Sequence, residues 1–284
     1  MCDSYPLKFL CKALEVSTSG YQEWKACKGP ECWLSNAQLL ALIRSIHAEF
    51  QEAYGSPRMA KEIKARGFPV SRKRVMRLMK AHGIRARHKR RYKVTTDSSH
   101  TWPVSPNILN RQFDVEAPAL VYTADITYIP TREGWLYLAV VMDLCTRMIV
   151  GWSMGARMTK ELTLNALRMA KFRSKPLPGL IHHSDRGSQY CSYNYQALLK
   201  EYGMVSSMSR KGNCWDNAPM ESFFNSLKNE RVFHRCYATR EQAKQDIFNY
   251  IEIFYNRKRR HSSLNFMSPA QYYAAWLQQK KQVA

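Results

Sequence analysis

The chain has 284 residues, of which 45% are hydrophobic and 12% aromatic, so it is long enough for two domains that bury sizeable cores. Its 44 Lys and Arg residues outnumber its 22 Asp and Glu residues, which gives a formal net charge of +22. This excess predicts a polyanionic partner, of which nucleic acid is the usual one. The alternative is a ribosome-like or merely soluble basic protein.

The cysteines and the start of the chain exclude several protein classes. The eight cysteines form no CxxC pair and have no His pair at finger spacing near them, so no structural zinc site is expected. No apolar stretch resembles a signal peptide or approaches the roughly 20 residues that a membrane span needs. Scattered thiols without a secretory signal predict a cytoplasmic protein with no membrane partner.

The positive charge is unevenly distributed along the chain. Residues 1–100 carry 20 basic and 8 acidic side chains, a net of +12, and residues 231–284 carry 10 and 3, a net of +7. The middle, residues 101–230, carries 14 and 11, a net of only +3. This pattern predicts a catalytic core between two DNA-binding flanks.

Residues 1–93 are predicted to form a helical DNA-binding region. Apolar spacing indicates a short helix near residues 7–14 that breaks at residues 17–20, and then three helices over residues 35–83. The three begin at Ser35 or Asn36, at Ser56-Pro57 and at Ser71. Because the last helix, residues 72–82, is basic, we expect a helix-turn-helix-like unit that places this helix in the major groove.

A basic run extends from this last helix to Lys93 and contains eleven Lys or Arg residues and no acid. A solvated helix face followed by a disordered tail is the alternative to DNA binding here. The residues predicted to contact DNA are Arg72, Lys73, Arg74, Arg77, Lys80, Arg85, Arg87, Lys89, Arg90 and Arg91.

A polar, proline-containing linker is predicted over residues 94–118, with a short helix over residues 107–113 that docks on the core. The core itself, residues 119–232, shows three strand patterns in succession and then strands that alternate with helices. That order predicts a mixed α/β sheet of five strands. The predicted strands span residues 120–129, 135–144, 147–154, 179–183 and 204–208, and the predicted helices span residues 160–172 and 193–202.

The last predicted region, residues 233–284, is helical and basic. A helix capped at Thr239 carries an apolar stripe that ends at Asn256, and another helix begins at Ser268-Pro269. Between them lies a basic cluster. Its members predicted to contact DNA are Arg257, Arg259 and Arg260.

Three acids in the core are predicted to form one metal-binding site. Asp125 lies within an apolar strand, Asp185 directly follows another strand, and Glu221 lies in the first turn of a helix, with 35 residues between the last two. A buried Asp is costly unless it is paired or bound to a metal ion. Phosphodiester cleavage by two Mg²⁺ ions uses such carboxylates, which leave positions for water and phosphate.

Other side chains compete with this interpretation. Asp143 ends an apolar strand and Asp216 lies in the loop before Glu221, so either could replace one of the three ligands. Asp185 alone could be a turn residue, since Gly187 follows it. His182 and His183 are more often strand residues than ligands.

At these residues the chain resembles a DDE transposase with a retroviral-integrase-type core. The words DITY (125–128), HSDRGSQY (183–190) and GNCWDNAPMESFF (212–224) resemble the OrfB transposases of bacterial insertion sequences that make a frameshifted OrfAB fusion. Further matching words lie near residues 54–58, 71–75 and 255–269. Tyr122 and Ala124 depart from the residues expected beside the first acid, and the chain lacks a leucine heptad and a His-His-Cys-Cys zinc domain.

The resemblance implies a ribonuclease H-like fold and two in-line displacements at phosphorus. Water would cut a strand at the element end, and the resulting 3′-OH would attack target DNA. Asp125, Asp185 and Glu221 would hold two Mg²⁺ or Mn²⁺ ions. Residues that would hold phosphates nearby are Arg186, Arg210 and Lys211.

The resemblance also implies partners. Double-stranded DNA would be bound both as element ends and as target, by a homo-oligomer associated with the bacterial nucleoid, and an OrfA segment would be a fusion partner. The alternatives are a metal-dependent nuclease or resolvase on the same core, and a DNA-binding regulator or partner that is inactive without OrfA.

Overall fold

The computed structural model describes residues 6–26, 34–87, 103–211 and 213–283. Two compact units divide the chain, one through Ala86 and the other from Arg87 onward. The predicted DNA contacts Lys89, Arg90 and Arg91 lie outside the described residues. None of the described helices is both long and apolar enough to cross a membrane.

The first unit is helical, as predicted. In α3 the Ser35 side chain accepts from the Gln38 N–H while the Gln38 side chain accepts from the Ser35 N–H, a reciprocal cap that fixes the start of the helix. The predicted break after the first helix is present but lies at residues 14–17, because the second helix already begins at Thr18. The helices of this unit are α1 (Leu7–Ala13), α2 (Thr18–Ala26), α3 (Asn36–Glu49), α4 (Ser56–Ala65) and α5 (Arg72–Ala81).

Helices α3, α4 and α5 bury one apolar face each, including Ile43, Ile63 and Val75. Helix α5 begins where the Ser71 hydroxyl accepts from the Arg74 N–H, as its sequence predicts. The opposite face of α5 is basic and exposed, which confirms the predicted segregation of charge from core. Its exposed basic residues are Arg72, Lys73, Arg77 and Lys80.

The second unit contains the predicted mixed sheet of five strands, in the order β3-β2-β1-β4-β5. Strands β1 and β2 pair antiparallel, as do β2 and β3, whereas β4 pairs parallel with both β1 and β5. The strands are β1 (Val121–Thr131), β2 (Gly134–Asp143), β3 (Ile149–Gly155), β4 (Ile181–Ser184) and β5 (Val205–Met208). The central position of β1 explains why its residues 121–124 are buried on both faces.

Helices of the second unit cover the sheet. On one face Tyr122 and Ala124 of β1 belong to the same buried cluster as Leu162 and Leu167 of α6. Because side chains alternate along a strand, Asp125 lies on the opposite face. The helices are α6 (Lys160–Ser174), α7 (Ser188–Cys191), α8 (Tyr193–Glu201), α9 (Ala218–Glu230), α10 (Arg240–Phe248) and α11 (Pro269–Val283).

Two predictions about the flanks of the core are corrected. Residues 107–113 contain no helix, because the side-chain oxygen of Asn107 accepts from the Asn110 N–H and both Asn110 and Arg111 have positive φ. The segment does dock on the core, where the Ser207 hydroxyl accepts from the Leu109 N–H. The predicted helix that ends at Asn256 continues past α10 as a π-helix, Asn249–Tyr255.

Asn256 joins this C-terminal region to the sheet. Its amide accepts from the N–H of Ile149 at 2.9 Å and donates to the C=O of Ile149 at 3.0 Å, so it pairs with the first residue of edge strand β3 as a neighbouring strand would. Both residues are buried. Losing the amide would leave two buried backbone groups without partners.

We predict that Asn256→Ala lowers the free energy of unfolding, by about 1–3 kcal/mol for each backbone group left unpaired. Asn256→Asp should cost at least as much, because a carboxylate can accept from the Ile149 N–H but repels the Ile149 carbonyl. Urea denaturation measures both. Asn165→Ala is the control, since it removes only an exposed hydrogen bond to Arg168. An Asn256→Asp variant as stable as the wild type would contradict this prediction.

Candidate active site

The register of two parallel strands brings two of the predicted acids together. Ala124 of β1 pairs with Ser184 of β4. Asp125 is the next residue of β1, and Asp185 directly follows the end of β4, so the two acids lie next to each other where two strands are spaced about 4.8 Å apart. The sequence could not show this register, although it placed each acid on or directly after a strand.

The third acid is brought toward this pair by helix α9. Asn217 precedes the helix, and its side-chain amide donates to the C=O of Ala124, the residue before Asp125, at 3.2 Å. Glu221 lies in the first turn of α9. The hydrogen bond from Asn217 therefore fixes the start of the helix next to the first acid.

The carboxylate of Asp125 responds to the charges of the other two acids. Its pKa is raised well above the ordinary value, first by burial and then by the charges of Asp185 and Glu221. The Ile126 N–H, which donates to its carboxylate at 2.7 Å, and the charge of Lys228 oppose that rise. Burial also raises the pKa of Glu221.

Asp185 is held by a tight turn. The N–H of Gly187 donates to its Oδ1 at 2.9 Å. A Cβ atom on Gly187 would lie 3.0 Å from that same oxygen and 3.2 Å from Oε1 of Gln189. A glycine at this position thus lets the backbone approach the carboxylate closely.

The donor set fits a hard divalent cation, since it consists of carboxylate oxygens. The buried hydroxyl of Tyr190 also has no hydrogen-bond partner among the described residues, and the charges of Asp125 and Asp185 act on it. As the side chains stand, however, no three His, Cys, Asp or Glu residues in the described ranges converge tightly enough to ligate one ion. The three carboxylates would therefore have to draw closer together to ligate one ion.

Both rival acids have structural partners. Asp143 is buried and accepts from the Ala119 N–H and from the N–H and hydroxyl of Thr146. Asp216 is fully buried and accepts five hydrogen bonds, of which Arg210 provides three. These contacts give both residues a role in packing.

The two histidines of β4 are neutral core residues, as predicted. His182 contacts the hydroxyl of Tyr195 at 3.1 Å, and His183 lies within hydrogen-bond distance of Ser207 and Ser209. Burial lowers the pKa of His182 to about 3 and that of His183 to about 4. Neither is exposed enough to reach a ligand.

The chain closely resembles named proteins over nearly its whole length. It is 48% identical to a protein of insertion element IS600 from Shigella sonnei, over 92% of this chain and 96% of that one. It is 40% identical to the transposase InsF for insertion sequence IS3A of Escherichia coli (strain K12), over 94% of each. The chain belongs to the family of insertion-sequence transposases that includes InsF.

Three regions of the chain match family domains. Residues 115–214 and 221–277 match integrase core domains, and residues 34–92 match an HTH-like domain. These matches confirm the predicted family, the α/β core and the helix-turn-helix-like unit. The catalytic core domain of BIV integrase aligns with 57% of this chain and 99% of its own, at 14% identity and a TM-score of 0.43.

One predicted DNA contact of the chain is corrected. Arg259 is buried, and its guanidinium donates to both carboxylate oxygens of Glu230 at 2.7–3.1 Å and to Ser226 at 3.0 Å. A basic cluster in sequence can therefore contain a packing residue. Its neighbour Arg257 is exposed, whereas Arg260 is half-buried and donates to the C=O of Phe266.

The other basic residues predicted to contact DNA differ in how many hydrogen bonds and ion pairs they make within the protein. Arg210 pairs with Asp216, and Arg186 donates to the C=O of Ser209 at 2.7 Å. Lys211 is exposed. In the first unit, Arg74 donates to Leu34 and Asn36 and Arg85 is exposed. In the second unit, Arg87 donates to the C=O of Glu230.

Sequence reasoning missed Lys228. It lies seven residues after Glu221, two helical turns along the same face of α9, and its ammonium is 4.8 Å from the ring centroid of Tyr128. Burial lowers its pKa, and the charge of Asp125 raises it. The seven-residue spacing from Glu221 to Lys228, which puts both on one face of a helix, was the sequence signal that could have identified Lys228.

We predict that Asp216→Asn destabilises the protein at neutral pH by roughly 1–3 kcal/mol, because a buried acceptor of charged donors is lost. The two arginines hold the pKa of Asp216 well below its ordinary value of 3.8. The carboxylate therefore stabilises the fold above about pH 4, and this contribution is lost as the pH falls below that value.

The measurement is the difference in unfolding free energy between the wild type and the Asp216→Asn variant from pH 7 down to pH 3. Glu161→Gln is the matched control, because Glu161 forms an exposed ion pair with Arg168 worth about 0–1 kcal/mol. A difference that stays constant over this pH range would contradict the assignment.

Proposed function

We propose that the chain is a metal-dependent DNA transposase that cuts a strand at the ends of its insertion sequence and joins the free 3′-OH to target DNA. The observation that carries the proposal is the placement of Asp125 beside Asp185, with the charge of Glu221 acting on the same carboxylate. Mutual repulsion of three carboxylates is costly, and a cation binding site is the simplest reason for it.

Asp125, Asp185 and Glu221 are proposed to hold two divalent ions, Mg²⁺ or Mn²⁺. Bound there, the ions would activate a water molecule, neutralise the phosphoryl oxygens and stabilise the leaving oxygen. Gly187 and Ile126 hold the two aspartates through backbone N–H groups, so these side chains are oriented before metal arrives.

Two displacements at phosphorus make up the proposed reaction. Water attacks the phosphate at the element end, and the 3′ oxygen of the cut strand leaves. That 3′-OH then attacks a target phosphate, whose own 3′ oxygen leaves as the new bond forms. Lys228 is positioned to offset phosphate charge near Asp125, and Lys211 and Arg186 are candidates to hold the flanking phosphates.

Binding of DNA is assigned to the exposed basic face of α5, in the geometry of a helix-turn-helix. Two element ends must be held together for both to be joined to one target, so we infer a homo-oligomer on DNA. An upstream OrfA segment is a proposed partner for end recognition.

Strand joining tests this proposal. Labelled element ends and a plasmid target are incubated with Mg²⁺ or Mn²⁺ and with the chain alone or fused to OrfA. We predict joined products for the wild type, and a loss of at least about 100-fold for Asp185→Asn and Glu221→Gln, because a lost metal ligand removes several kcal/mol of transition-state stabilisation.

Glu201→Gln is the control, since Glu201 is an exposed acid of α8, a helix that packs on the sheet face opposite Asp125. It should join strands as the wild type does. Cleavage without joining would instead establish the nuclease alternative. Tight DNA binding without any metal-dependent product, with OrfA fused, would establish a regulator.

A further inference from the structure

The loop of residues 209–217, here called the active-site loop, connects β5 to α9 and is anchored beside both aspartates. At its start the Ser209 N–H donates to the C=O of Ser184, the residue before Asp185, at 2.9 Å. At its end Asn217 donates to the C=O of Ala124, the residue before Asp125. Side chains that this loop exposes to solvent therefore lie close to the candidate metal site.

Within the loop, two neighbouring residues have opposite environments. Asp216 is fully buried and is held by Arg111, Arg210 and Asn107. Trp215 is 68% exposed. The ion pairs of Asp216 thus fix the backbone next to Trp215. The exposed Trp215 side chain is therefore attached to an ordered stretch of backbone.

The charges around this tryptophan favour a nucleic-acid ligand. The side chains of Arg111 and Arg210 stay 43% and 48% exposed although they pair with Asp216, and Lys211 is exposed as well. An exposed aromatic side chain next in sequence to a residue held by exposed arginines matches the way proteins bind unpaired bases, with the ring stacking on the base and the cations near the phosphates. A single exposed aromatic elsewhere on the surface would carry no such meaning.

We propose that Trp215 stacks on an unpaired nucleobase next to the phosphate that reacts at the candidate metal site beside Asp125 and Asp185. This inference rests on the proposed function. In an intact duplex both faces of a base are covered by its neighbours, so the base must be frayed at a strand end or turned out of the helix. Stacking on Trp215 would compensate for that unstacking and hold the DNA distorted at the reacting phosphate.

The first test is photo-crosslinking with 5-iodouracil, which joins to an aromatic ring stacked on it. The probe is placed beside the reacting phosphate in the element end or, in a second set, in the target. We expect a crosslinked peptide that contains Trp215 with one of the two probes, and that probe identifies which DNA supplies the base. The assay uses binding conditions without divalent metal, so it does not depend on catalysis.

The second test is kinetic. Trp215→Ala should cut and join fully paired ends roughly 5- to 150-fold more slowly, the range expected for one base–aromatic stack. A substrate already mismatched at that base should restore most of the rate that Trp215→Ala loses. Trp215→Phe should retain most of the activity on fully paired ends. Phe172→Ala, which removes an 80% exposed aromatic of α6, is the matched control and should change neither assay.

The inference is overturned if no crosslink reaches Trp215 with either probe, or if mismatched ends do not rescue Trp215→Ala. Failure of the proposed function gives a different result, in which the wild type neither cuts nor joins any substrate. A crosslink to Trp215 in that case would still support the base-binding site.

Discussion

One energetically costly arrangement constrains the second unit. Asp125 of the central strand β1 lies next to Asp185, which directly follows β4. The parallel register of β1 and β4 imposes it, because Ala124 and Ser184 are partners and each acid comes next. Burial and like charge both disfavour ionised carboxylates there, as the raised pKa of Asp125 indicates. The surrounding elements must supply enough packing energy to maintain two acids that would otherwise move apart.

Helix α9 is fixed at both ends, which is what keeps Glu221 near these aspartates. Asn217 attaches its start to β1, and Glu230 at its last residue accepts from Arg259 and from the hydroxyl of Tyr250. A buried ion pair stabilises a fold only when its remaining hydrogen bonds are satisfied, and here several donors converge on one carboxylate. The C-terminal region, predicted as a DNA-binding flank, thus supports the helix that carries Glu221.

Much of this fold follows from local sequence. Ser35 and Ser71 mark helix starts because a hydroxyl accepts from the backbone of the first turn, and the apolar runs around Asp125 and before Asp143 mark central strands. The three acids could be proposed from their types and spacing together with a family resemblance. These signals involve residues that are close along the chain.

Several of the misses share a physical cause, which is that the partners of these residues lie far away in sequence. Arg259 belongs to a basic run, and only its contact with Glu230, 29 residues earlier, makes it a packing residue. The role of Asp216 depends on Arg111, more than 100 residues before it. Asn256 pairs with Ile149 over a comparable distance. No local pattern encodes such contacts.

The central claim is that Asp125, Asp185 and Glu221 share one metal site, and iron-directed cleavage tests it most directly. Fe²⁺ with ascorbate and peroxide generates radicals at the bound ion, which cut the nearest backbone. The account predicts three cuts, close to residues 125, 185 and 221, that excess Mg²⁺ suppresses. Cuts at the two aspartates without one near Glu221, or cleavage elsewhere that Mg²⁺ does not suppress, would contradict the claim.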